Sequence, residues 1–272
     1  MNYSTRSILL NEINSTQKLL DPTSRYITEL LDLVNSATSE EELKERLISS
    51  FRVNSYVDDE VLKKLSLIQI TRLHLVTPET YWMRFSAEEE ISLKKVIKDL
   101  PLGSTILSSP CSTGLEVLSL CQLAIEDQKL KELSVIGVDL NPELSTLIQS
   151  GKIPSRIPNS KNHDTVCNPQ DHHLVDPEIM KVISFRFGDL LGTEQIINRL
   201  SDLVLCRNFI GFFKPHYQRV ILDNLRQISK SGTYLMIDDF ALRSPKCAEA
   251  VSYLNQLGYE PTDLSATIFR LK

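Results

Sequence analysis

The spacing of apolar residues changes once along the chain. From residue 4 to about residue 98, apolar residues recur every three or four positions, as in the run from Ile27 to Val34, and this period predicts amphipathic helices. Ser86 followed by Glu89 matches the capping box that begins many helices. Residues 1–98 are therefore predicted to form an all-helical N-terminal domain.

After Pro101 the pattern changes to short apolar runs that alternate with helical segments. Such alternation is typical of a parallel sheet covered by helices on both faces. Residues 99–272 are therefore predicted to form an α/β domain with a doubly wound, Rossmann-like and mostly parallel sheet. The predicted strands are Thr105–Ser108, Ser134–Val138, Ile183–Phe187, Leu203–Cys206, Tyr234–Ile237 and Thr267–Leu271.

Residues 152–182 interrupt this alternation. The segment is rich in Pro, Asn, Asp and His, shows little periodicity and is longer than a normal connection, which predicts a functional insertion or a mobile loop. Its histidines, His163, His172 and His173, lie near Cys167, but their spacing matches no established zinc pattern. No metal site is therefore predicted.

Composition narrows the class of protein. Of 272 residues, 42% are hydrophobic and 24% are charged, with a net charge of −5, which excludes a disordered chain and gives no basic surface for nucleic acid. All nine glycines lie at Gly103 or later, which supports a change of domain near residue 100. Five widely spaced cysteines, and the lack of a signal sequence or membrane-length apolar run, predict a cytoplasmic protein without membrane insertion.

Two features point to a nucleoside-containing ligand. Small residues fill the turn Ser108–Gly114 after the first predicted strand, and Asp139 ends the second. In such sheets ligands bind beyond the carboxyl ends of the strands, where an acidic group accepts hydrogen bonds from ribose hydroxyls. A plain tight turn and a helix-capping aspartate explain either feature taken alone.

Four blocks of sequence resemble the chemotaxis receptor methyltransferases of the CheR type, in the same order and with similar spacing between residues 60 and 240. They are Thr77–Arg84, Cys111–Glu116, Val138–Asn141 followed by Ser150–Ile153, and Cys206–Phe213 with the helix that follows it. The resemblance implies an S-adenosylmethionine-binding class I methyltransferase fold. It also implies an enzyme that methylates glutamates on receptor helices.

The resemblance also assigns roles to individual residues. It places Thr80 and Arg84 over the cofactor, Glu116 near the methionine amino group, and Asp139 at the ribose. The implied cofactor-binding residues are Thr80, Arg84, Cys111, Gly114, Glu116, Asp139, Asp189, Leu190, Arg207 and Asn208, with Asp189 and Leu190 beside adenine. The implied catalytic residues are Arg84, Arg207, Asn208 and Phe212, of which Arg207 and Asn208 lie near the methyl group.

Departures from the family concern the acceptor. Pro78 stands where the family usually has Asn, Phe212 where it has Tyr, and the insertion lacks the glycine-marked turns of the small β-subdomain that touches the receptor. We therefore predict a methyltransferase that acts on a carboxylate or other nucleophile, with a small-molecule or peptidic acceptor favoured. The alternatives are a chemoreceptor glutamate methyltransferase, a non-catalytic adenosylmethionine-binding module, and a sulfonium lyase or cyclase that releases methylthioadenosine.

Overall fold

The computed structural model describes residues 3–19, 25–54, 59–75, 83–140, 145–153, 166–168, 170–192, 199–238, 242–243 and 247–272. The helices are α1 (Tyr3–Leu19), α2 (Arg25–Ser36), α3 (Glu40–Asn54), α4 (Asp59–Lys64), α5 (Leu67–Leu75), α6 (Ala87–Asp99), α7 (Leu115–Glu126), α8 (Thr146–Gln149), α9 (Pro177–Val182), α10 (Pro215–Gln227) and α11 (Ala248–Gln256). The strands are β1 (Ser104–Ser108), β2 (Leu133–Asp139), β3 (Cys167–Asn168), β4 (Asp171–Val175), β5 (Ile183–Phe187), β6 (Ser201–Cys206), β7 (Ser229–Ile237), β8 (Tyr259–Pro261) and β9 (Ile268–Leu271).

Seven strands form one sheet in the order β5-β2-β1-β6-β7-β9-β8. The five strands from β5 to β7 in this order pair in parallel, whereas β9 pairs antiparallel with both β7 and β8. Every residue of β1 and of β6 is buried, as expected for parallel strands covered on both faces. The predicted mixed α/β fold is confirmed, and the six predicted strands are β1, β2, β5, β6, β7 and β9.

The sheet has an apolar core on each face. Neighbouring residues along a strand point to opposite faces, so Ile106 joins one buried cluster and Leu107 the other. The cluster with Ile106 includes the buried faces of α6 and α7. The cluster with Leu107 includes the buried face of α10 and apolar residues of α1 to α5.

The N-terminal part of the chain is helical, as predicted. The predicted capping box at the start of α6 is also confirmed: the Glu89 amide donates to Ser86 Oγ at 3.2 Å, and the Ser86 amide donates to Glu89 Oε2 at 2.8 Å. These two bonds satisfy amides that lack a partner within the helix. The division of the chain into domains 1–98 and 99–272 stays a prediction.

Two parts of the structure were not expected from the sequence. One is the insertion, where β3 and β4 form an antiparallel pair, Lys152 bridges to Leu174 and α9 follows, so this part has regular structure that its weak periodicity did not indicate. Its strands are short and held by backbone bonds, and they therefore leave little apolar alternation to detect. The other element is β8, whose Pro261 is tolerated because the strand lies at the sheet edge.

The insertion histidines are only partly described. His163 lies outside the described residues, and His172 and His173 lie in β4. Among the described residues, no group of three or more His, Cys, Asp or Glu side chains could hold a metal ion.

None of the helices in the described ranges combines the length and the apolar character that crossing a bilayer requires.

Candidate active site

The carboxyl ends of β1, β2, β5 and β6 meet at one edge of the sheet because these strands are parallel neighbours. Nine of the ten predicted cofactor-binding residues lie within the described ranges, and Thr80 lies outside them. The described nine are Arg84, Cys111, Gly114, Glu116, Asp139, Asp189, Leu190, Arg207 and Asn208, and the predicted catalytic residue Phe212 is described too. All but Arg84 lie at the carboxyl end of one of these four strands or follow it in the chain.

The turn between β1 and α7 is tied to the end of β2. The Ser112 amide donates to Asp139 Oδ2 at 2.8 Å, and the Cys111 amide donates to the Val138 carbonyl at 2.9 Å. Asp139 itself is 8% exposed. Ser112 Oγ and Thr113 Oγ1 are buried without a hydrogen-bond partner among the described residues, which is costly unless another group satisfies them.

Two glycines let this turn pack closely against β5. A Cβ atom at Gly114 would lie 2.8 Å from the Phe185 ring, and one at Gly137 would lie 2.6 Å from it. Gly114 also has φ +85°, which a residue with a side chain rarely adopts. The sequence analysis singled out Gly114 and missed Gly137, although a glycine inside a strand often marks such a close approach.

Arg207, at the end of β6, lies between two carboxylates. Its Nη1 donates to Glu116 Oε2 and its Nη2 to Glu89 Oε2, both at 3.3 Å. Its guanidinium carbon is 4.8 Å from the centroid of the Phe85 ring, a cation–π distance. The other oxygen of Glu116 accepts from Ser108 Oγ at 2.7 Å. The sequence analysis named Glu89 as a helix cap and missed its place beside Arg207.

The turn after Arg207 is shaped by Asp238 at the end of β7. The Asn208 amide donates to Asp238 Oδ2 at 2.7 Å, and Asn208 has a left-handed backbone with φ +52°. Phe212 follows in a short 3-10 helix, Ile210–Phe212, where it is partly buried against the core. His216 lies in the first turn of α10 and is exposed. Its ring is tilted against that of Tyr217, with ring centroids 3.8 Å apart.

The loop after β5 is clamped by a side chain from α10. Asp189 Oδ1 accepts from the Leu191 amide at 2.8 Å, and Leu190 is buried. Asn224 Nδ2 donates to the carbonyls of Leu190 at 2.7 Å and Gly192 at 2.9 Å. The sequence analysis missed Asn224 because its partners lie 34 and 32 positions away in the chain, which leaves no local sequence signal.

The two cysteines at this edge stay protonated. Burial raises the pKa of the Cys111 thiol well above its ordinary value, and the charges of Asp139 and Glu116 add to that effect. Burial likewise raises the pKa of Cys206, with further contributions from Asp238 and Glu116. Since the thiolate is the reactive form, neither residue is a nucleophile at neutral pH.

Comparison with known proteins identifies one family. The family model "CheR methyltransferase, SAM binding domain" matches residues 79–240. A chemotaxis protein methyltransferase from Campylobacter jejuni is 24% identical over 233 residues, which cover 78% of this chain and 86% of the relative. Chemotaxis protein methyltransferase 1 from Vibrio cholerae is 19% identical over 209 residues, covering 70% and 76%.

Solved structures also match. A TehB-like SAM-dependent methyltransferase from Corynebacterium glutamicum aligns with a TM-score of 0.44 and 17% identity, covering 75% of this chain and 95% of that one. An O-methyltransferase family protein from Burkholderia thailandensis aligns with a TM-score of 0.44 and 12% identity, covering 100% and 85%.

Proposed function

The chain belongs to the CheR methyltransferase family and is an S-adenosylmethionine-dependent methyltransferase, and we propose that it transfers the methyl group to a carboxylate. The cofactor supplies a methyl group that its sulfonium already activates. The protein's task is then to bind the cofactor and the acceptor, to align them and to exclude water. Such alignment lowers the reaction barrier by up to about 7–11 kcal/mol in favourable cases.

The residues at the sheet edge fit this cofactor. Asp139 suits the ribose hydroxyls. The buried hydroxyls of Ser112 and Thr113, which have no partner within the described ranges, offer further hydrogen bonds where the turn meets the ligand. Glu116 suits the methionine amino group, because a carboxylate stabilises a nearby ammonium. In this proposal Asp189 and Leu190 flank adenine, Thr80 and Arg84 cover the cofactor, and Cys111 and Gly114 form the turn beneath it.

The class of acceptor depends on whether a side chain near the methyl group can act as a base. An amine acceptor must lose a proton before it attacks, so it needs a base. The sequence offers His216, Asp238 and Asp239 as candidate bases. His216 is exposed on α10, Asp238 accepts the backbone amide of Asn208, and Asp239 lies outside the described residues. A carboxylate has an ordinary pKa of about 4 and is ionised at neutral pH without help. The engagement of Asp238 by Asn208 is the observation that carries this proposal.

The residues beside the methyl group would then act as an alignment device. Arg207 is held rigidly by two carboxylates and the Phe85 ring, and Asn208 is fixed by Asp238. Phe212 stands where the family usually has Tyr, so the tyrosine hydroxyl that would add a polar contact to the acceptor is absent. In this proposal that difference favours a small or peptidic carboxylate over a glutamate presented by a large receptor.

A second candidate acceptor is a protein glutamate. The relatives from Campylobacter jejuni and Vibrio cholerae carry the name chemotaxis protein methyltransferase. The pair β3–β4 also gives the insertion a folded element, which could contact a protein. Both acceptors are carboxylates, so the chemistry at the site is the same.

The cysteines support a reducing location. All five, Cys111, Cys121, Cys167, Cys206 and Cys247, are buried thiols, as in proteins whose thiols serve as small core residues. We therefore place the enzyme in the cytoplasm.

The test uses cofactor labelled in its methyl group, incubated with the protein and a panel of carboxylic metabolites, peptides and a cell lysate. A methyl ester releases labelled methanol in mild alkali, whereas a methylated amine or an ether does not. Alkali-labile label is the expected result, and stable label would contradict the carboxylate acceptor. Separation by size before the alkali step distinguishes a small acceptor from a protein.

A further inference from the structure

The buried cluster at Arg207 is not electrically neutral. Two carboxylates, Glu89 and Glu116, face one guanidinium, so the three side chains carry a net charge of −1. Their side chains are 8%, 16% and 6% exposed for Glu89, Glu116 and Arg207. Among the described residues, Arg207 is the one cation that pairs with either carboxylate. A buried excess charge of this kind is costly unless a further cation neutralises it.

Glu89 is fixed in place independently of Arg207. Its Oε2 accepts the Ser86 amide at 2.8 Å as part of the capping box, and the same oxygen contacts Arg207 Nη2 at 3.3 Å. The start of α6 therefore determines where this carboxylate lies. Phe85, one residue before the cap, places its ring against the same guanidinium. The segment that leads into α6 thus holds Arg207 from two sides.

Glu116 is placed differently, because α7 begins at the cofactor turn. Its Oε1 accepts from Ser108 and its Oε2 from Arg207. If Arg207 had Glu116 as its sole partner, the two charges would cancel and the pocket would offer little attraction to a cation. The charge of Glu89 offsets that of Arg207, and the charge of Glu116 then remains for a ligand.

We propose that Glu89 is a positioning residue, which holds and neutralises Arg207 so that Glu116 keeps its attraction for the positive charge of the cofactor. The inference rests on the proposed placement of the cofactor beside Glu116. S-Adenosylmethionine carries a net charge of +1, whereas its product S-adenosylhomocysteine carries none. Both ligands carry the ammonium proposed to lie beside Glu116, and only S-adenosylmethionine adds the sulfonium charge. A cluster with a charge of −1 therefore favours the substrate form over the product form and assists product release.

The experiment compares the dissociation constants of these two ligands by calorimetry. Glu89→Gln removes the charge but keeps a side chain that serves in a capping box. We expect the preference for S-adenosylmethionine over S-adenosylhomocysteine to fall about tenfold, which corresponds to ~1.4 kcal/mol. The matched control is Glu88→Gln, because Glu88 lies in the same first turn of α6 but is exposed; its preference should stay within twofold of the wild type.

A double variant keeps the proposal falsifiable if Glu89→Gln folds poorly. Glu89→Gln with Arg207→Gln removes one charge of each sign and returns the cluster to −1. The ratio of the two dissociation constants should therefore return toward the wild-type value, even where the loss of Arg207 weakens the binding of both ligands. A purely structural role predicts instead that the double variant weakens both ligands equally and restores nothing.

Two results would overturn the proposal. One is an equal loss of affinity for both ligands in Glu89→Gln, and the other is an unrestored preference in the double variant. If Asp139→Ala loses cofactor binding while Glu89→Gln keeps the wild-type preference, the inference fails and the proposed cofactor site stands. If the wild type binds neither ligand, the proposed site and the inference both fail.

Discussion

The β2 end and the β6 end of the site are built by different means. At the β2 end, defined by Ser112, Gly114, Gly137 and Asp139, a backbone amide meets a carboxylate and two glycines allow close packing on Phe185. At the β6 end, defined by Glu89, Glu116 and Arg207, three charged side chains meet. The partners of Arg207 lie 91 and 118 positions away in the chain.

This difference affects how each end responds to change. Backbone geometry at the β2 end is determined mainly by the strands and the turn, so losing one side chain there removes a ligand contact and, for Asp139, the hydrogen bond from the Ser112 amide. The β6 end depends on mutual neutralisation in a buried place, where removal of one charge leaves its partners uncompensated. We therefore expect mutations at the β6 end to act first on stability and those at the β2 end to act first on binding.

The largest effect is expected for Arg207→Met, which leaves Glu89 and Glu116 buried together without a cation. Breaking a buried pair in this way costs about 3–5 kcal/mol of unfolding free energy, measurable by urea denaturation. Arg219→Met is the control, because Arg219 and its partner Glu249 are 52% and 64% exposed; we expect a loss below about 0.5 kcal/mol there. Equal losses in both variants would remove the contrast between the two ends.

The same contrast explains what the sequence could predict. Short β-rich runs and the small-residue turn identified β1, β2 and the position of Asp139, because strand period and turn chemistry are local signals. The ion pairs of Arg207 and the clamp by Asn224 depend on long-range packing, which leaves no pattern along the chain. Roles for Arg207 and Asp189 came from the family resemblance, and Glu89 was recognised for its local capping function alone.

Secondary structure was missed for a related reason. β8 has three residues and contains Pro261. Such a segment can pair only at the edge of a sheet, and the sequence does not reveal that β8 lies there. In the insertion, β4 is held by backbone contacts to β3 and to Lys152. Neither strand carries the alternation of apolar side chains that makes a longer strand visible.

The second prediction tests the β2 end by binding. Asp139→Ala removes the carboxylate proposed to accept the ribose hydroxyls, and we expect affinity for S-adenosylhomocysteine to fall by about 1–3 kcal/mol, the usual cost of unpaired buried polar groups. Asp263→Ala, at an exposed residue beyond β8, should leave the affinity unchanged. Calorimetry measures both, and unchanged affinity in Asp139→Ala would show that the cofactor lies elsewhere.

The third prediction concerns the loop after β5, the strand that pairs with β2. Asn224→Ala removes two hydrogen bonds, to the carbonyls of Leu190 and Gly192, each of which contributes about 0.5–1.5 kcal/mol. We expect stability to fall by about 1–3 kcal/mol in total on that basis, with weaker binding of S-adenosylhomocysteine because the loop proposed to flank adenine loosens. Asp223→Ala, which removes the contact to the Tyr253 hydroxyl on the other side of α10, should lower stability without changing that affinity.

The smallest effect is expected for Ser86→Ala, which separates the two tasks of Glu89. The variant removes the hydroxyl that accepts the Glu89 amide, and loss of such a cap costs about 1 kcal/mol of unfolding free energy. The Glu89 carboxylate keeps its bond to the Ser86 amide and its contact with Arg207, since neither uses the hydroxyl. The preference for S-adenosylmethionine over S-adenosylhomocysteine should therefore stay at the wild-type value while urea denaturation shows the loss of stability. A loss of both would mean that the cap, and not the charge of Glu89, controls the β6 end.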